Sequence, residues 1–343
     1  MRMAGWIKPV GKAAATLALL VAAIWGAGVI HFHASGWLHA VGLVLWGALA
    51  LALLVVLWRG GRARIWLAAG FVLALSGLGV FWSSLQPAQD RQWADDVARR
   101  LQVRSFDGRH VVLDNVRNFT WRSETDYDIA WEQRHYDLEQ LRSADVLLSY
   151  WMGPAIAHTL VSFGFADGRQ LVFSLEIRKE HDESFDALAG FFRRYEVTLV
   201  AADERDIIAT RTNARGEDVY LYRVEGLRGQ ALRQLFAAYL EQARALDREP
   251  AFYNTLTSNC TTIVWELARQ VSPDLPLDWR LLASGYFDDY LQQLGALPAG
   301  VSPEQLKQRG RISERARADG GSAQFSRHIR QGVPGIEQGA VHE

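Results

Sequence analysis

The sequence predicts a membrane-anchored α+β protein, three N-terminal transmembrane helices followed by an outer domain with an antiparallel sheet. Three observations carry this. The first 85 residues hold three long uncharged apolar runs. Residues 109–224 are dominated by short β-rich runs, and amphipathic helical spacing takes over from residue 228. Strands first and helices afterwards is the order of an α+β domain.

Residues 13–30, 37–58 and 65–85 contain no charged side chain, and each approaches the roughly 20 residues that a helix needs to cross a bilayer. Trp6, Trp37, Trp58, Trp66 and Trp82 stand near their ends, where interfacial tryptophans sit. Arg2, Lys8 and Lys12 precede the first run, and Arg59, Arg62 and Arg64 lie between the second and third. By the positive-inside rule these positions are cytoplasmic, which puts everything after residue 86 outside the cytoplasm. A cleaved signal peptide over residues 1–28 is the competing reading, but no small-x-small site follows and Trp25 stands where one would be expected. His31, His33 and His39 could hold a metal by spacing. No carboxylate or thiol completes the set, so they read as interfacial residues.

Residues 86–343 are enough for one ordinary core. The whole chain carries a formal net charge of −1, so no basic field points to a nucleic-acid partner. Residues 86–117 read as linker and lead-in, with a short surface helix within 87–102 and a strand at 109–113. Residues 118–136 read as loop plus edge strand. Strands are expected at 145–151, 158–165, 169–178, 195–202, 206–211 and 216–224. Ala166-Asp167-Gly168 makes a hairpin turn, and Asp203-Glu204-Arg205 turns between two later strands. Residues 228–247 form an amphipathic helix through Leu232, Leu235, Phe236, Tyr239, Leu240 and Leu246. The segment 301–343 is rich in Arg, Gly, Ser and Gln and reads as mobile by composition, although Phe325, Ile329, Val333 and Ile336 could pin it to the domain.

The chain has a single cysteine, Cys260, in the string TSNCTTIVWELARQ. Ile263, Val264, Leu267, Ala268 and Val271 recur at helical spacing behind it, and Ser258 and Asn259 are capping residue types ahead of it. A thiol at a helix N-terminus is biased toward the nucleophilic thiolate. The alternative is a buried, inert cysteine. A cysteine nucleophile needs a base and a group to orient that base. His158 opens a strand in apolar surroundings and is the candidate base. His181 lies in a charged stretch, and His328 and His342 are in the tail.

The hairpin suggests the third member. A three-residue turn at 166–168 sets His158 opposite Glu176, whereas a two-residue turn would set it opposite Ile177. Asn259 could cap the helix or donate to an oxyanion. Tyr253 and Ser258, in the loop leading to the cysteine, are further substrate or oxyanion candidates. The Cys260 backbone N–H is the natural oxyanion donor.

The strings NFTWRSETDYD, IAHTLVSFGF, SLEIRKE, FFRRYE, ADERD, RGEDVYLYR, YNTLTSNCTT and FSRHIRQGVPG resemble the periplasmic domain of the Lnb-type lipoprotein N-acyltransferases. The resemblance runs from about Asn118 to about Gly335 and so includes much of the tail, implying that the tail is partly ordered. It implies a permuted papain-like (NlpC/P60-like) fold over 118–335, with 336–343 as a terminal tail. It also implies a Cys–His acyl transfer site, with Cys260 and His158 as the matching residues.

The expected function is a cysteine acyltransferase at the outer face of a bacterial inner membrane. It would use a phospholipid donor, a lipoprotein acceptor and no cofactor. The alternatives are a cysteine peptidase or amidase acting on cell-wall peptide, and a non-enzymatic membrane scaffold.

Overall fold

The computed structural model describes residues 4–336, with side chains from residue 10 onward. Arg2, His342 and residues 337–343 lie outside the described residues, as do the side chains of Trp6 and Lys8. Two compact units are present among the described residues, one comprising residues 4–87 with 186–194, the other residues 88–185 with 195–336.

The first unit holds α1 (Ala4–His33), α2 (Gly36–Arg59) and α3 (Ala63–Ser84). All three are long and apolar enough to cross a membrane. Trp46 stacks on Phe71 with ring centroids 4.7 Å apart, and its indole N–H donates to Ala23 O at 2.8 Å. His31 Nδ1 lies 3.0 Å from His39 Nε2, while His33 turns away to Phe192 O at 2.6 Å. The three histidines therefore do not converge.

The second unit is built on a mixed sheet. In chain order its strands are β1 (Gln102–Phe106), β2 (His110–Arg117), β3 (Thr120–Trp121), β4 (Tyr127–Asp128), β5 (Trp131–Asp137), β6 (Leu141–Tyr150), β7 (Ala157–Phe165), β8 (Gln170–Arg178), β9 (Glu196–Ala202) and β10 (Asp218–Arg223). The main sheet has eight strands in the order β1-β2-β9-β8-β7-β6-β10, with β5 also paired to β2; β3 and β4 form a separate hairpin. All pairings are antiparallel except the β2–β9 contact at Arg117 and Ala202, which is parallel. The all-antiparallel expectation fails there: Asp203 N, just past β9, donates to Arg117 O at 2.9 Å, and Arg117 pairs with the buried Asp206 that follows.

Every residue of β7 is buried, as befits a strand covered on both faces. One cover is α5 (Gly229–Arg248), whose Phe236 and Tyr239 meet Phe163 and Phe173 with ring centroids 4.9–5.6 Å apart. The remaining helices are α4 (Glu204–Ala209), α6 (Cys260–Arg269), α7 (Phe287–Gln293), α8 (Pro303–Gly310), α9 (Ser313–Asp319) and α10 (Phe325–Ile329).

Three expectations are corrected. Residues 206–211 are not a strand. Asp203 caps a helix there by accepting from Arg205 N, with Glu204 and Asp206 in its first turn. Buried pairing holds both acids, Glu204 with Arg330 and Asp206 with Arg117. Residues 87–102 contain only a three-residue turn at Asp95–Val97, not a surface helix, because Trp93, Val97 and Leu101 are drawn into the interior. The tail over 303–336 is ordered. Ile312, Ala316, Phe325, Ile329 and Val333 enter the main core, with Ile336 packed against it.

Candidate active site

Helix α6 begins at Cys260 because Asn259 caps it. The Asn259 side-chain carbonyl accepts from Thr261 N and Thr262 N at 2.9 Å each, and Thr262 Oγ1 accepts from Asn259 N at 3.0 Å. Its amide donates to Thr255 O at 2.9 Å. The Asn259 side chain thus takes the capping role, one of the two expected of it. The Cys260 N–H has no acceptor among the described residues, so it is the open donor at this helix terminus. Thr261 ties the helix to β7 through Thr159, with the two hydroxyl oxygens 2.8 Å apart.

The tight turn fixes the register of β7 on β8. Phe165 N donates to Arg169 O at 3.0 Å, Gly168 N returns to Phe165 O, and Leu160 pairs with Ser174. Gly168 sits at φ 85°, a conformation that glycine adopts freely. This is the three-residue turn, and it brings His158 and Glu176 together, with His158 Nε2 3.3 Å from Glu176 Oε1. Between them stands Ser174. Its hydroxyl is 2.6 Å from His158 Nε2 and donates to Glu176 Oε1 at 2.7 Å. The imidazole and the Cys260 thiol line the same cleft and are close enough to shift each other's protonation.

Glu176 is held from the other side by Arg211, whose Nη2 donates to Oε1 at 2.7 Å. Arg211 also reaches Glu217 at 3.4 Å, and Ser149 donates to Glu217. Arg211 lies in a π-helical run, Thr210–Ala214, that continues from α4. Such runs are rare and frequently mark functional sites.

The protonation states follow from these contacts. Burial pushes the His158 imidazole down, but the Glu176 carboxylate and then the Cys260 thiolate outweigh burial and the opposing Arg211 charge, raising it from 6.5 to about 9. Burial pushes the Cys260 thiol up, yet the His158 charge and hydrogen bond, with help from Thr159 N–H and Thr261, bring it below its usual value. Burial also opposes ionisation of Glu176, and His158 and Arg211 overcome it, holding this carboxyl well below its ordinary range. The arrangement favours a thiolate–imidazolium pair.

These groups line a cleft of 280 Å³. Its apolar wall includes Leu175, Ile177 and an aromatic run from the half-exposed Trp151 through Phe185 to Tyr253, with ring centroids 6.0 and 6.3 Å apart. Tyr253 is buried in that wall, and its N–H donates to Tyr195 O at 2.9 Å. Burial, then the Cys260 and Glu176 charges, push its phenol far above the ordinary value, so it stays a neutral O–H. Ser258 does not line the cleft; its N–H closes the loop onto Asn254 O at 3.0 Å. No group of three or more His, Cys, Asp or Glu side chains placed to hold a metal occurs among the described residues.

Sequence reasoning missed Ser174, Arg211 and Glu217. Ser174 was legible, since it lies two residues before Glu176 and so on the same strand face. Arg211 was hidden by the mistaken strand at 206–211.

Residues 127–285 match the family model described as the Lnb N-terminal periplasmic domain. This is the family that the separated motifs resemble, and the matched span contains His158, Ser174, Glu176, Arg211 and Cys260. Beside it the chain carries three helices long and apolar enough to cross a membrane. No curated protein and no solved structure matches the chain.

Proposed function

We propose that the protein is a membrane-anchored cysteine acyltransferase of the bacterial inner membrane, with a permuted papain-like domain in the periplasm. The observation that carries this reading is the His158–Ser174–Glu176 chain of contacts lining one cleft with Cys260, which stands at a helix N-terminus; the cleft is open and partly aromatic. The placement of the histidine strand before the cysteine helix supports the permuted order. The positive-inside distribution of Arg and Lys around the three spans supports the periplasmic side.

In this reading Cys260 Sγ, already a thiolate, attacks the carbonyl carbon of a lipid ester, and the oxyanion accepts from the Cys260 N–H. The His158 imidazolium gives its proton to the departing alkoxide as the carbon–oxygen bond breaks. The acyl chain is then a thioester on Cys260, and His158 is neutral. An amine next attacks the thioester. His158 takes one of its protons, the carbon–sulfur bond breaks, and the thiolate–imidazolium pair is restored with an amide as product. The donor is a phospholipid and the acceptor is the N-terminal amine of a lipoprotein, both of which reside in the bilayer to which the chain is anchored. Leu175, Ile177 and the Trp151–Phe185–Tyr253 run give the chain near the ester an apolar wall.

Purified full-length protein, phospholipid and a diacylglyceryl lipoprotein test this. The expected outcome is an N-acylated lipoprotein and one lysophospholipid per transfer. A lipoprotein that loses one of its own ester-linked chains, with no lysophospholipid formed, would make the acceptor its own donor. Release of free fatty acid or cleaved wall peptide alone would favour a hydrolase. Normal transfer by Cys260→Ser would end the thioester mechanism.

A further inference from the structure

Beside the Cys260 cleft lies a larger groove of 650 Å³, and the two share Trp151, Arg215 and Glu217 as a common wall. Their charges are opposite. The cleft is lined by five carboxylates against Lys179, Arg211 and Arg215, with the Cys260–His158 pair neutral overall. In the groove, Arg215, Lys307, Arg311 and Arg317 face only Glu217 and Asp218.

Much of that positive charge is weakly compensated. Arg317 donates to Thr212 O at 3.3 Å and has no carboxylate partner among the described residues. Lys307 is half exposed. Its Nζ sits 5.7 and 5.8 Å from the ring centroids of Tyr150 and Tyr220, and it reaches Asp288 only at 4.0 Å. Arg311 pairs with Asp218 at 2.8 Å and with the exposed Glu314 at 3.6 Å.

We propose that this groove binds a phosphate ester, the head group of the lipid acyl donor, and so holds that lipid with its ester within reach of Cys260. The inference rests on the acyl-transfer reading and specifies which end of the donor the protein grips. Arginine forks and a lysine point charge are the side chains that bind phosphate oxygens. In a phospholipid the phosphate is only a few covalent bonds from the acyl ester. A head group seated in the groove therefore leaves the ester free to pass the Trp151–Arg215 wall into the cleft. Lys307, Arg311 and Arg317 all come from the C-terminal segment, outside the matched residues 127–285.

The test is a binding measurement that needs no turnover. Full-length Cys260→Ala protein in non-ionic detergent is titrated calorimetrically with dihexanoyl phosphatidylglycerol, with dihexanoylglycerol and with inorganic phosphate. The phospholipid is expected to bind at least about tenfold tighter than the glyceride, with affinity falling as salt is added. Lys307→Gln/Arg317→Gln is expected to remove about tenfold of that affinity and to leave glyceride binding unchanged. Should the double variant not fold, Lys307→Gln alone is expected to cost about threefold. Equal affinity for the two lipids, or unchanged phospholipid affinity in a folded variant, overturns the proposal. Inorganic phosphate that binds as tightly as the phospholipid, with the same loss in the variant, marks a free-phosphate site and overturns the lipid assignment. Failure of acyl transfer with this binding intact would count against the reaction and not against the groove.

Discussion

The Ser174 hydroxyl stands 2.6 Å from His158 Nε2, so the imidazole meets its carboxylate through a bridge as well as directly. A hydroxyl in that position accepts from the imidazole and donates to Glu176, which fixes the ring. Ser174→Ala keeps the 3.3 Å His158–Glu176 contact but loses the bridge. The expected result is an acyl-transfer rate lower by about tenfold with Cys260 still reactive. An unchanged rate would mean that the direct contact is sufficient to hold the ring.

Glu176→Gln removes the charge that holds the imidazolium. His158 then titrates lower, and the thiol loses the cation that favours its thiolate. Labelling of Cys260 by iodoacetamide at pH 7 is expected to slow by about tenfold or more, with the midpoint of its pH profile moved upward. A midpoint that stays in place would separate Glu176 from thiol activation.

The pH dependence divides the two roles of the pair. Thioester formation needs the imidazolium as acid, so acyl transfer is expected to decline as pH rises through about 9, where His158 loses its proton. Alkylation needs only the thiolate and is expected not to fall there. Stability follows the same group. The raised His158 value contributes stability that is fully present below the ordinary 6.5 and is lost as pH rises through about 9. Melting of full-length protein across that range, compared with His158→Phe, reads this contribution; identical pH dependence in the two proteins would contradict it.

Arg330 locks the C-terminal segment to the sheet. It donates to Asp145 Oδ2 at 2.7 Å and to both Glu204 oxygens at 2.6 Å, and both carboxylates are fully buried. Arg330→Met leaves two buried carboxylates without this cation, and Arg223 at 2.7 Å compensates only Asp145. A loss of about 3–5 kcal/mol is expected in thermal or denaturant unfolding. A loss under about 1 kcal/mol would show that the tail is not integral to the domain.

How much of this was legible in the sequence depended on how local the signal was. The three long apolar helices, the turn at 166–168, the helix over 229–248 and the Cys260 cap are written in neighbouring residues, and short-range rules found them. The His158–Glu176 contact was reachable because a hairpin converts sequence spacing into spatial pairing. The helix at Glu204–Ala209 was not, because its buried acids are matched by Arg117 and Arg330, far away in the chain. The order of the tail was hidden for the same reason. Its composition is polar, but the few apolar residues it has, Ile312, Ala316, Phe325, Ile329 and Val333, all reach one core. Arg211 belongs to this class too, since its partners lie on β8 and beside β10.

In the proposed reaction Cys260 carries an acyl chain, with His158 as its acid and base. Intact-mass analysis of the full-length protein after brief incubation with phospholipid tests it most directly. The account predicts a mass increase of one acyl group, mapped to Cys260, removed by hydroxylamine and absent in His158→Ala. An unmodified Cys260 in folded protein that transfers acyl chains at its normal rate would contradict it.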